Sequence, residues 1–133
     1  MTRTRYRFSP DRCPHFMTST VVAWLPIFNR PESVGVIYDS WRFLQREGLA
    51  LYGYVIMDNH LHWIAEAEDL GPVVRRFKSY TARRLIELHR NRGAQTLLEQ
   101  LEYYKVRHKV DQTSMRRSTG VTRAPATMPD RQA

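Results

Sequence analysis

Between His15 and Leu25 the chain runs HFMTSTVVAWL, a stretch of β-branched and aromatic residues that predicts a strand. A polar loop, PIFNRPES, follows, and Pro31-Glu32-Ser33 has the composition of a helix start. From there to Glu47 the apolar positions fall at Val34, Ile37, Trp41 and Leu44. Spacings of three and four give one buried helical stripe, and Gly48 stands where such a helix would be capped. LALYGYVIM (49–57) and HLHWIAEAE (60–68) predict two more strands, with Asp58-Asn59 between them at hairpin spacing. A long helix is expected from Leu70 to Arg92, buried along Leu70, Val73, Val74, Phe77, Thr81, Leu85 and Leu88 and ended by Gly93. A last helix, from Ala94 to about His108, packs through Leu97, Leu98, Leu101 and Tyr104.

Strand, helix, strand, strand, helix is the order of an α+β, ferredoxin-like split βαβ domain. One more strand would complete it, and none is recognisable. After Gln112, TSMRRSTGVTRAPATMPDRQA has neither hydrophobic period and reads as a disordered tail. The chain thus divides into a basic arm (1–14), one folded domain (15–112) and a tail (113–133).

Composition narrows the class. The 133 residues suffice for one domain with a real core, and a 42% hydrophobic content fits a globular chain. The single cysteine, Cys13, excludes an internal disulfide framework and fits a reducing compartment. No apolar run approaches the ~20 residues of a membrane span, and the N-terminus lacks the apolar core of a secretory signal. A bacterial-type cytoplasmic location, with no membrane partner, is the expectation.

Charge changes the picture more. Lys and Arg total 21 against 13 Asp and Glu, a net +8, which favours a nucleic acid or another anionic partner. Arg75, Arg76, Lys78, Arg83 and Arg84 gather on the long helix, where Glu87 is the only acid between Leu70 and Arg92. A merely solvated helix mixes signs to form i,i+4 pairs. These five residues are the candidate phosphate contacts, and binding through them falls steeply with salt.

His60 and His62 stand two apart on the third strand, so both imidazoles leave the same face while Leu61 points to the other. Rings so placed can share one cation. A metal ion beside a basic helix suits phosphoryl chemistry, with Arg holding the flanking phosphates. A metal-dependent hydrolase would need a further carboxylate. Glu66 has the right parity but lies about 13 Å along the strand from His62, and Asp58 sits in the turn.

The longer string YGYVIMDNHLHWIAEAEDL, with VVRRFKSYTARRLIEL and LLEQLEYYKVRHKVD, resembles the single-tyrosine HUH transposases, in particular the REP-associated tyrosine transposases. The resemblance covers roughly residues 10–112, with Met57, Asn59, His60, Leu61, His62, Trp63 and Ile64 at the motif positions and Asp58 at its variable position. It implies a ferredoxin-like dimer that binds hairpins of single-stranded DNA and holds Mg²⁺ or Mn²⁺ on the His pair. It also implies cleavage by a tyrosine that becomes joined to the 5′ phosphate. The family's tyrosine lies on a later helix, in a run close to Tyr-Ile-His-x-Asn-Pro, which is absent here. The tyrosines after the histidines are Tyr80, Tyr103 and Tyr104, with Tyr80 the weak catalytic candidate. Two readings follow: a transposase that cleaves and transfers DNA strands, or a truncated or frame-shifted remnant that only binds DNA.

Overall fold

The computed structural model describes Phe8 and residues 11–119, with side chains described as far as Arg107. Its elements are β1 (His15–Thr20), α1 (Pro31–Arg46), β2 (Ala50–Ile56), β3 (His60–Glu66), α2 (Leu70–Asn91) and α3 (Gln95–Thr119), with a short 3₁₀ turn at Val22–Trp24. The fold is α+β, in the β-α-β-β-α order of a split βαβ, ferredoxin-like domain, followed by α3. The three strands form an antiparallel sheet in the order β1-β3-β2, so β3 lies at its centre. There is no fourth strand among the described residues.

Strand alternation sorts β3 cleanly. Leu61, Trp63 and Ala65 are fully buried against the helices, and the even-numbered residues form the opposite, uncovered face. The core centres on stacked rings: Trp41 of α1 and Phe77 of α2 are 5.8 Å apart, and each packs on Trp63, at 5.7 and 4.7 Å. Such aromatic triads combine large apolar burial with favourable ring geometry. α1 and α2 therefore occupy one layer on one side of the sheet. Phe8, from the arm preceding β1, packs against this core and against the His15 ring at 5.4 Å.

Both long helices stop as their sequences predict. Pro31 opens α1, where its missing N–H costs nothing. At its end Gly48 takes φ +107°, and Leu49 N–H returns to the Leu44 carbonyl at 3.0 Å. α2 ends alike, with Gly93 at φ +73° and Ala94 N–H on the His89 carbonyl at 2.9 Å. Both are Schellman closures, which need the left-handed backbone glycine adopts without strain.

Several expectations are corrected. β1 stops at Thr20 rather than Leu25, because Ala23 and Trp24 turn left-handed at φ 54° and 57°. On α1, Val36 is buried and Val34 only half-buried, since the helix also packs through Ser33 and Ser40. On α3, Leu97 and Leu101 pack against the core, whereas Tyr104 is exposed. α3 also continues to Thr119, past both the expected end near His108 and the expected start of the tail at Thr113. Its sequence carries no glycine or proline before Gly120 to break it. Residues 120–133 of the expected tail, and most of the arm 1–14, lie outside the described residues. No helix among the described residues is long and apolar enough to cross a membrane.

Candidate metal and nucleic-acid site

The hairpin between β2 and β3 fixes the first histidine. Met57 N–H bonds to the His60 carbonyl at 2.8 Å, leaving Asp58-Asn59 as a two-residue turn. Two other segments hold that turn: Val21 N–H bonds to the Asn59 carbonyl at 2.9 Å and Phe28 N–H to the Asp58 carbonyl at 2.7 Å. β3 then carries the pair, with His60 opposite Thr20 of β1, and His62 between Thr18 of β1 and Val55 of β2.

The two rings stand side by side on the uncovered face, centroids 5.0 Å apart. His60 is only 6% exposed, partly because the Trp24 indole lies edge-on to it at 5.7 Å. Its Nδ1 donates to the Asn59 amide oxygen at 2.7 Å, which puts the lone pair on Nε2. His62 Nδ1 is 2.8 Å from Thr18 Oγ1, and donation there gives the same tautomer. Partners on the far nitrogen that fix tautomer and ring orientation are the arrangement found behind metal-binding imidazoles. As chemistry the pair fits a divalent ion held by two neutral imidazoles. Among the described residues no group of three or more His, Cys, Asp or Glu side chains gathers as a metal site.

Glu66 is on the same face but is engaged elsewhere: the Tyr52 hydroxyl donates to its carboxylate. Tyr52 reaches it because β2 bulges between Leu51 and Gly53. The bulge sends Tyr52 to the histidine face, while Tyr54 packs on Trp41 at 4.9 Å on the helix side. The hydrogen bond to Glu66 is the main cause raising the Tyr52 phenol above its usual value, ahead of burial, so the hydroxyl keeps its proton.

The basic residues lie across the sheet from the histidines. Arg76 and Arg83 line an open groove of about 590 Å³ between α1 and α2, on the outer side of the helix layer, together with Arg42 and Arg46 of α1. Arg76 also pairs with Glu47 and sits over the Phe43 ring at 5.7 Å. Arg84 pairs with Glu87 of the same helix at 2.8 Å. Lys78 is half-buried, and burial pushes its ammonium down to about 8. Arg75 is exposed but is not part of the groove lining. The five expected contacts therefore do not form one patch. Arg76 and Arg83 share the groove because residues seven apart have nearly the same azimuth on a helix, while the other three point elsewhere. Tyr80 lines this groove too and is not brought to the histidines.

Sequence reasoning missed Thr18, which orients His62, and Arg42 and Arg46, which complete the groove; it placed Asn59 in the motif but not as the partner of the His60 ring. Only Asn59 had a local signal, its place beside His60 in the turn. No family model, no curated protein and no solved structure matches the chain.

Proposed function

We propose that this protein is a transposase-like DNA-binding protein that engages hairpin-bearing single-stranded DNA, with His60 and His62 holding Mg²⁺ or Mn²⁺ against a phosphate. The observation that carries this reading is the matched pair of imidazoles, 5.0 Å apart, each with Nδ1 at a hydrogen-bonding oxygen. A bound divalent ion would polarise a phosphate oxygen and neutralise its charge. Asn59 and Thr18 orient the two ligands. The α1–α2 groove supplies a second, electrostatic contact to the phosphate backbone through Arg42, Arg46, Arg76 and Arg83.

Strand cleavage in this reading needs a tyrosine beside the pair. Tyr52 shares the histidine face but donates a hydrogen bond to Glu66, farther along β3 than His62 by four residues. Tyr80 belongs to the other layer. Among the described residues this placement favours the second reading, a protein that binds DNA without cleaving it.

Incubation with hairpin-bearing single-stranded DNA, with Mn²⁺ or with EDTA, followed by native and denaturing gels, tests both readings. Mn²⁺-enhanced, salt-sensitive binding with no SDS-resistant adduct is expected. An adduct would restore the cleaving reading and direct mutagenesis to Tyr52 first. Binding indifferent to metal would remove the metal site.

A further inference from the structure

Four aromatic rings follow one another across the uncovered face of the sheet. Trp24 meets His60 at 5.7 Å, His60 meets His62 at 5.0 Å, and His62 stacks on Phe16 at 5.3 Å with 19° between the planes. The inner members are the imidazoles; the outer two are large apolar rings left open, Trp24 47% and Phe16 66% exposed. Large apolar rings held in solvent beside a polar site mark a surface meant to be covered.

Trp24 is held in place. It and Ala23 both lie in the left-handed region, at φ 57° and 54°, a conformation that costs non-glycine residues about 1–2 kcal/mol each. Trp24 N–H bonds to the Val21 carbonyl at 3.1 Å, and the Asn59 amide donates to the Trp24 carbonyl at 3.4 Å. Asn59, the residue that orients His60, thus also tethers the backbone of Trp24. Strain of this kind persists where the surroundings impose it, and it gathers at binding sites.

We propose that this face is a base-stacking platform for unpaired DNA, with Trp24 and Phe16 receiving bases on either side of the histidine pair. The proposal rests on the reading of the site as one for single-stranded DNA and adds where the bases go. Charge favours this occupant. The chain carries +8, and Glu66, the one acid in the three strands, is already engaged by Tyr52. Arg12 adds a positive charge near Tyr52 at the far end of the face. Aromatic faces bind any base, but only an unpaired base has its own face to offer.

Tryptophan fluorescence reads this directly. Trp41 and Trp63 are 1% and 0% exposed, so of the protein's three tryptophans Trp24 alone meets solvent. The full chain is titrated with oligothymidylate in EDTA, and with an abasic oligonucleotide of equal length. Saturable quenching, with Trp24 shielded from acrylamide, is expected for the thymidylate only. Trp24→Ala and Phe16→Ala should each weaken thymidylate binding about tenfold, with Trp24→Phe near the wild type. Near-UV circular dichroism of each variant checks that the Trp41–Trp63–Phe77 core is kept. The proposal is overturned if the abasic strand binds and quenches as well, if both alanine variants bind like wild type, or if acrylamide cannot reach Trp24 before DNA is added because a second copy covers the face. Because the titration contains no metal, its failure is separate from that of the metal reading. Loss of a Mn²⁺ effect with stacking intact would count against the histidine site alone.

Discussion

Thr18 and Asn59 decide what the two imidazoles can do. A strand of period two is enough to put His60 and His62 on one face, and that much is legible in the sequence. Which nitrogen each ring presents is not, because Thr18 lies 44 residues before His62 and meets it only through strand pairing. Thr18→Val keeps the shape and removes the oxygen, so Mn²⁺ affinity should fall about 10- to 100-fold while the melting temperature barely moves. Parallel metal titration and thermal melts check this. His89 presents a different chemistry. It is buried, its Nδ1 accepts from Arg92 at 3.1 Å, and its Nε2 has no partner among the described residues. Burial first, then the charges of Arg92 and Arg30, hold its value below the usual 6.5. The unfolded chain therefore binds this proton more readily than the folded one. Its contribution to stability is complete above pH 6.5 and is lost as the pH falls from there through the lowered folded value. Acid-titrated denaturant melts should show this loss in the wild type and a flatter profile in His89→Leu.

At the scale of elements, the regular pieces were readable and their irregularities were not. The α1 stripe through Ile37, Trp41 and Leu44, the glycines closing α1 and α2, and the Asp58-Asn59 hairpin all express local rules that agree with the fold. The β2 bulge breaks the period: simple alternation puts Tyr52 and Tyr54 on one face, and the extra residue separates them. The left-handed turn after β1 is likewise invisible in HFMTSTVVAWL, whose composition favours continued strand. That turn brings Trp24 over His60. Ala23→Gly relieves left-handed strain of about 1–2 kcal/mol at a cost of about 0.5–1 kcal/mol in chain entropy. A net gain approaching 1 kcal/mol is expected in urea melts, and a loss would mean that Ala23 is not strained.

For the whole molecule, the decisive feature is that the sheet separates two surfaces. Helices α1 and α2 cover one side and present the arginine groove outward, while the histidines and exposed rings occupy the other. The long helix reads as uniformly basic in sequence, but only tertiary packing brings Arg76 and Arg83 into one groove with Arg42 and Arg46, where Arg76 pairs with Glu47 and Arg42 with Asp39. Sites this far apart should act independently. Arg76→Ala with Arg83→Ala should weaken single-stranded DNA binding and flatten the slope of log affinity against log salt by about 0.7 for each phosphate no longer neutralised. Adding His60→Ala should contribute its own loss, additive within about 0.5 kcal/mol. A coupling well beyond that, in binding isotherms at several salt concentrations, would mean that both groups touch the same phosphate.

The most direct test of the account is pulsed electron paramagnetic resonance of Mn²⁺ added to the intact protein. The histidine pair predicts a bound ion with nitrogen couplings from two imidazoles, reduced to one in His62→Ala and lost in the double variant with His60→Ala. Mn²⁺ that stays free in solution, or binds with no nitrogen coupling, would contradict the assignment of His60 and His62 as metal ligands.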